Sequence, residues 1–233
     1  GASDDSSGHG AASGSLWSRT RTVFARHPVL SALFAETIVH QVVTAMLSIS
    51  FHNTLSANVA DDGARAAAVG HFYCVVNVSA SVLQFLVLPH VLTPSSFPTL
   101  MLSMPALVCA ASAWAASQPG LASAMTCFGI MKVMEYALMS AAQDLLYMPL
   151  DTDARYLGKE VIGFFGHRLG KSGASLALAV LGTVAPAAFS PAALSRLAAL
   201  VVVAWAASMV RLTNEARAGL KAPAPAPLAA PAQ

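Results

Sequence analysis

Residues 97–117 read FPTLMLSMPALVCAASAWAAS and contain no Asp, Glu, Lys or Arg. An α-helix rises about 1.5 Å per residue, so about 20 such residues cross a hydrocarbon core that is about 30 Å thick. Similar apolar runs recur along the chain and predict helices at about 29–52, 69–92, 97–117, 120–147, 161–186 and 192–213. The period-two alternation of a membrane β-barrel is not seen. The sequence therefore predicts an all-α integral membrane protein with six transmembrane helices.

The composition points to the same class of protein. The chain has 233 residues, of which 56% are apolar and only 10% are charged, and its mean hydropathy is +0.62. Soluble domains average about 25% charged residues. The net charge of +2 comes from few groups and forms no basic cluster, which argues against a nucleic-acid partner. No catalytic constellation, HExxH motif or metal-ligand spacing is legible, so we expect a protein that is not an enzyme and holds no metal.

Three regions are predicted from the change in composition along the chain. Residues 1–27 form a low-complexity N-terminal tail, residues 28–213 a six-helix transmembrane domain, and residues 214–233 an Ala/Pro-rich C-terminal tail. Loops are expected at 58–65, 92–98, 117–120, 151–160 and 189–191. An even number of spans places both termini on one side. The positive-inside rule makes that side the stroma or matrix, because it would carry Arg19, Arg21, Arg26, Arg155, Lys159, Arg217 and Lys221.

The fourth and fifth predicted helices carry more specific sequence. They read EYAL at 135–138, QDLLYMPLD at 143–151, GK at 158–159 and RLGKSG at 168–173. This pattern resembles the C-terminal half of the ATP/ADP translocases of plastids and intracellular bacteria, which are related to the major facilitators and have twelve transmembrane helices. The similarity is strong over about 130–176. It implies one six-helix half of a transporter fold.

The departures from the family pattern concern charge. The family's DPTKE stretch is replaced by SAAQD at 140–144, its LVEVTWK by MLSISFH at 46–52, and its MGDF by VGHF at 69–72. Ionisable residues inside a membrane are costly and are normally kept because they handle substrate or ions. Moving a nucleotide needs Lys and Arg near the midplane to replace its lost hydration. The resemblance therefore implies a transporter fold that no longer transports.

Several residues are candidates for a remaining site or for a structural role. A phosphate-binding P-loop is excluded by Phe165, since the motif needs Gly there. We expect Arg168 and Lys171 to reach the membrane interface or to pair with Asp151, Asp153 or Glu160. Lys132 is expected to pair with Glu135, three residues further along the same helix. Glu36 is expected to lie at the membrane interface. Residual contact with an anion or substrate is the alternative, less favoured role for Lys132, Lys159, Arg168 and Lys171. Structural roles implied by the family motif are assigned to Tyr147, Pro149, Asp151, Gly158, Gly170 and Gly173.

Histidines within or beside the predicted spans offer another type of ligand. A neutral imidazole is able to ligate chlorophyll magnesium or haem iron. The candidate pigment ligands are His40, His71 and His167, but a hydrogen-bonded role inside the bundle is the favoured interpretation for each. We expect no obligatory cofactor. Bound lipid is expected, and chlorophyll is expected only in the pigment-associated alternative below.

Three functions are compatible with these patterns. The favoured one is a membrane-embedded accessory subunit of a larger organellar complex, which contacts other membrane subunits through its helix faces and both tails. The first alternative is a nucleotide transporter that works as a dimer of six-helix halves. The second is a pigment-associated subunit of a photosynthetic supercomplex. A plastid membrane, thylakoid or inner envelope, is preferred over the mitochondrial inner membrane because the eukaryotic members of the resembled family are largely plastidic.

Overall fold

A computed structural model describes residues 16–93, 95–185 and 190–221, and within these residues every regular element is helical. Two helices continue through a π-helical turn: α3 through Leu83–Val87 and α5 through Glu135–Met139. In α6 the π-helical turn Ile162–Gly166 joins two α-helical parts. The helices are α1 (Leu16–Arg26), α2 (Pro28–Asn58), α3 (Asp62–Val91), α4 (Phe97–Ser117), α5 (Leu121–Tyr147), α6 (Thr152–Val161 and His167–Val184) and α7 (Pro191–Lys221).

Five of the described helices are long and apolar enough to cross a membrane, namely α2, α3, α4, α5 and α7. The predicted all-α membrane class is confirmed. Helix α6 corresponds to the remaining predicted span, but its second part begins with the polar sequence HRLGKSG before it turns apolar. Its apolar portion is therefore shorter than those of the other five.

The predicted helix at 97–117 is confirmed. The helix predicted at 120–147 begins at Leu121, one residue later than predicted. The predicted loop at 151–160 is wrong, because Thr152–Val161 is helical. Asp151 has extended backbone at the N-cap, and Asp153 lies in the first turn, where an acidic group is favourable. Residues 16–26, assigned to the N-terminal tail, form α1. Residues 214–221, assigned to the C-terminal tail, belong to α7. Residues 1–15 and 222–233 lie outside the described residues.

Helix α2 lies at the centre of the bundle. It packs against α5, α6 and α7, and α7 also packs along α4. Three aromatic rings join α2, α3 and α5: the ring of Phe51 stacks on Phe72 at 4.8 Å and on Phe128 at 5.4 Å between centroids, and Phe72 and Phe128 are 5.4 Å apart. Such pairs stabilise a structure beyond the area that they bury. The stack therefore fixes α3 against the centre of the bundle.

Glu36 faces the inside of the bundle, a burial that the predicted interfacial position did not include. Its side chain is fully buried, and its Oε1 accepts a hydrogen bond of 2.9 Å from Nε1 of Trp205 on α7. Among the described residues, its Oε2 has no hydrogen-bond partner. Position along α2 suggested the membrane surface, but the close packing of α2 against α7 encloses this side chain.

Arg155 of α6 holds the end of α5 in place around the turn at 148–151, and an ion pair ties α1 to α6. The guanidinium of Arg155 donates to the carbonyl oxygens of Tyr147 at 3.1 Å, Met148 at 2.8 Å and Leu150 at 3.3 Å. Helix α5 therefore ends with carbonyl groups that a cation satisfies, which is favourable at a helix C-terminus. At the same end of the bundle, Arg19 of α1 lies 3.7 Å from Asp153.

Candidate functional site: a cleft between helices α2, α5 and α6

Two adjoining hollows form an open cleft between α2, the second half of α5 and the π-helical part of α6. They have volumes of about 320 and about 210 Å³ and share Ser140, Gln143 and His167. The π-helical turn of α5 and that of α6 both contribute to the walls, and such turns are frequent at functional sites. The other lining residues are Thr37, His40, Glu135, Tyr136 and Met139 in the larger hollow, and Asp144, Tyr147, Lys159, Ile162 and Gly163 in the smaller.

The larger hollow is bordered by an ion pair within α5. Nζ of Lys132 lies 2.7 Å from Oε2 of Glu135, and both side chains are largely withdrawn from solvent. The ammonium group also lies 5.8 Å from the ring centroid of Phe128 and 5.4 Å from that of Tyr136, within the range of a cation–π contact. The positive charge of Lys132 is therefore satisfied within its own helix.

The smaller hollow contains a second ion pair, which joins α5 to α6. Nζ of Lys159 lies 2.8 Å from Oδ1 of Asp144 and 5.3 Å from the ring centroid of Tyr147. This pair is half exposed, so the Coulomb attraction across it is moderated by solvent. The two pairs therefore balance the acidic groups that line the cleft: Lys159, also in the lining, neutralises Asp144, and Lys132, which lies behind the lining, neutralises Glu135.

The structure does not bring Arg168 and Lys171 into this cleft. Both side chains are exposed on α6, and the guanidinium of Arg168 stacks 4.2 Å from the ring centroid of Phe164. The expected pairing with the acidic residues near the start of α6 is wrong. Asp151 instead pairs with His27 at 3.1 Å and Asp153 with Arg19. The helical rise explains this, because at 1.5 Å per residue Arg168 lies roughly 22 Å from Asp153 and roughly 12 Å from Glu160 along the helix.

Two glycines of the family motif lie where α6 touches α2. A Cβ on Gly170 would lie 2.7 Å from Cβ of Gln41 and 3.1 Å from the carbonyl oxygen of Ile38, and a Cβ on Gly158 would lie 2.9 Å from Cδ2 of Leu30. A Cβ on Gly173 would meet no atom of the described residues within 4 Å. Small residues allow helices in membranes to approach closely. Among the other motif residues, Tyr147 is buried, whereas Pro149 and Asp151 are exposed.

The three candidate pigment ligands do not share one environment. His40 is buried, its ring centroid lies 5.4 Å from that of Trp205, and its Nδ1 lies 3.5 Å from Nε2 of Gln41. His167 is on the opposite wall of the cleft, with Nδ1 at 3.4 Å from the carbonyl oxygen of Ile162. His71 is exposed on α3, away from the cleft-lining residues. In the described residues no group of three His, Cys, Asp or Glu side chains has the geometry to hold a metal.

Sequence reasoning missed two polar contacts. The pair of Asp144 and Lys159 joins residues that are 15 apart. A signal was available, because these opposite charges flank the predicted turn between two neighbouring helices. Glu36 and Trp205 are 169 residues apart in the sequence, and no local sequence pattern predicts their contact.

Comparison with known proteins gives the family. The model of the TLC ATP/ADP transporter family matches residues 66–216, which is more than half of the chain. The match runs from α3 to α7 and includes the parts of α5 and α6 that line the cleft. No curated protein and no solved structure is significantly similar to the chain. The resemblance drawn from the motifs on α5 and α6 is confirmed, and the chain belongs to the TLC ATP/ADP transporter family.

Proposed function

We propose that this membrane protein is a non-enzymatic accessory subunit of a larger organellar membrane complex and that it does not transport nucleotides. The observation that supports this most is the charge balance of the cleft. Lys132 and Lys159, the cations beside it, are each hydrogen-bonded to a carboxylate of the chain itself. A nucleotide polyphosphate needs cations that are free to contact it. In this cleft a polyphosphate would instead meet the carboxylates of Glu135 and Asp144, which already occupy the two lysines.

The charge balance makes a direct prediction about nucleotide binding. We expect the purified protein to bind ATP more weakly than about 1 mM. The double variant Glu135→Gln, Asp144→Asn frees both lysines while retaining side-chain size. Removal of two opposing charges is expected to tighten ATP binding at least tenfold, because each freed charge contributes on the order of 1 kcal/mol at a solvent-accessible site.

Titration calorimetry in detergent measures this difference, with Asp153→Asn as the matched control. Asp153 is exposed near the start of α6 and does not line the cleft, so its loss of charge should leave ATP binding unchanged. Micromolar ATP binding by the unaltered protein, reversed by ADP, would contradict the proposal. An equal gain in the control would show a response to net charge rather than to the cleft.

In the proposed assembly, the protein contacts its partner subunits through helix faces within the bilayer and through both tails. Small residues crowd α6 and α7, as in GKSGASLALAVLG at 170–182, and such faces suit close packing with other transmembrane helices. Mild-detergent extraction followed by native electrophoresis and mass spectrometry should show the protein at several hundred kilodaltons with other membrane subunits and bound lipid. Migration of the chain alone would contradict an accessory role. Removal of residues 222–233 should weaken this co-migration if the C-terminal tail contacts partners.

A plastid membrane is the proposed location, with the termini on the stromal side. The positively charged residues support this orientation, since Arg19 on α1 and Arg155 at the start of α6 lie at the same end of the bundle as the contact with Asp153. Protease protection in isolated organelles, read with antibodies to each tail, tests the orientation. Tails that are protected in intact thylakoids would overturn it.

A second candidate, nucleotide transport by two associated six-helix units, is favoured by one observation. The cleft is open, and its two hollows lie on the segments that carry the family motif. A second unit would supply the opposite wall that alternating access requires. If this candidate holds, Lys159→Ala, which removes the lysine that lines the smaller hollow, abolishes nucleotide uptake while the amount of protein in the membrane stays constant.

A pigment-associated version of the accessory role is supported only by the shared position of His40 and His167 in the cleft walls. The absorption spectrum of the natively purified protein distinguishes it. Chlorophyll bands that disappear in His167→Gln would support pigment ligation, and a spectrum without them would discard it.

A further inference from the structure

We infer that α3 carries a self-association surface for a second copy of this chain within the membrane. We define the α3 seam as Gly70, Cys74, Asn77, Ser81 and Gln84, all of which are exposed. Their spacing alternates between four and three residues. This is the heptad spacing of helices that pair side by side in a left-handed crossing.

The seam contains amide groups that lipid cannot satisfy. Asn77 lies at the middle of the 30-residue span Asp62–Val91, and Gln84 lies seven residues further along. Among the described residues, neither side chain forms a hydrogen bond within the chain. A polar group without a partner in hydrocarbon costs several kcal/mol. These two amides therefore require a protein partner, whereas an apolar helix face does not.

The same helix has a separate surface for lipid. Val75, Val78 and Val82 are 66%, 59% and 48% exposed and contain only apolar atoms. At about 100° per residue, the four seam positions from Gly70 to Ser81 fall within an arc of about 60°, and the centre of the valine face lies about 100° away. Gln84 follows in the π-helical turn Leu83–Val87. The face that packs on the bundle, with Phe72, Val76 and Ala80, is different again. Helix α3 thus has three faces, and the seam is neither buried nor lipid-like.

Self-complementarity identifies the occupant as a second copy. A carboxamide has both donor and acceptor atoms, so two copies of the same amide satisfy each other when they face across a two-fold axis. Two copies inserted with the same orientation present parallel α3 helices, with Asn77 opposite Asn77 and Gln84 opposite Gln84. Gly70, Cys74 and Ser81 are small enough for the backbones to approach closely.

Cys74 provides a direct test because it is a free, exposed thiol at one of the seam positions. In the inferred dimer the two Cys74 residues face each other, within reach of a disulfide. Oxidation of membranes with copper phenanthroline should give a product of about twice 24.0 kDa. The product should be lost in Cys74→Ser and should not return in Cys74→Ser, Val78→Cys, which moves the thiol to the lipid face. Cys109 and Cys127 remain in every variant and provide the baseline.

A second measurement does not depend on cysteine chemistry. Resonance energy transfer between labelled copies in liposomes, followed as lipid dilutes the protein, gives the dissociation constant of the dimer. Asn77→Leu is expected to raise it about tenfold, since two interhelical hydrogen bonds of roughly 0.6 kcal/mol each are lost. Val78→Leu should leave it unchanged. Cross-linking of Cys74 to a different polypeptide only, equal cross-linking from position 78, or an unchanged dissociation constant in Asn77→Leu would overturn the inference.

Discussion

Replacing Trp205 by alanine is expected to lower the free energy of unfolding by about 3–5 kcal/mol. Its indole is 1% exposed and is among the largest fully buried side chains in the described residues. It also donates the hydrogen bond to Glu36 that joins α7 to α2, and it contacts the ring of His40. The variant leaves a cavity between the central helices and a buried carboxyl group without its donor. Reversible unfolding in mixed micelles, followed by circular dichroism, measures the loss.

Two further variants separate the cavity from the hydrogen bond. Trp205→Phe keeps an aromatic ring but removes the donor, and it should cost about 1–3 kcal/mol because a buried polar atom loses its partner. Glu36→Gln retains an acceptor oxygen and the side-chain volume, so we expect a change of less than about 1 kcal/mol. A Trp205→Ala protein as stable as the unaltered one would show that α2 and α7 do not depend on this contact.

Adding a methyl group at Gly170 is expected to cost about 1–3 kcal/mol, because overpacking forces neighbouring groups to shift. The new Cβ would meet Cβ of Gln41 and the carbonyl oxygen of Ile38, and neither atom is at the free end of a flexible side chain. Gly158→Ala should cost less, since the atom it meets, Cδ2 of Leu30, can move by rotation of the leucine side chain. The same unfolding assay ranks the two variants.

Gly173 supplies the matched control for Gly170. Both lie in His167–Val184, but a Cβ at Gly173 has open space, so Gly173→Ala should stabilise the helix by up to about 1 kcal/mol. The opposite sign of the two effects distinguishes contact between helices from helix propensity. Equal losses at both positions would contradict the close approach of α2 and α6.

The sequence predicted the elements that depend on local physics. The Pro-rich segment at 92–98 and the SQPG turn at 117–120 border the helix predicted between them, and α4 begins and ends within them, at Phe97 and Ser117. The pairing of Lys132 with Glu135 follows from a spacing of three on one helix, and the structure places the two groups in contact. The family motif was readable because it is a local pattern on α5 and α6.

What the sequence did not reveal depends on contacts between distant segments. The polar stretch 151–160 has loop-like composition, but contacts with α1 and the cation of Arg155 accommodate it as a helix. Glu36 was assigned to the interface from its distance to the helix start, whereas burial against Trp205 is a tertiary property. The cleft itself is formed by the approach of α2, α5 and α6, and its balanced charge required the pairing of Asp144 with Lys159.

Nucleotide exchange in liposomes tests the central claim most directly. The purified full chain is reconstituted in liposomes that contain ADP, and uptake of labelled ATP is measured against liposomes without protein and against the double variant Glu135→Gln, Asp144→Asn. The balanced cleft predicts that uptake by the unaltered protein equals that of protein-free liposomes. Saturable uptake that requires ADP inside, and that is lost in Lys159→Ala, would contradict the accessory role and establish a working transporter.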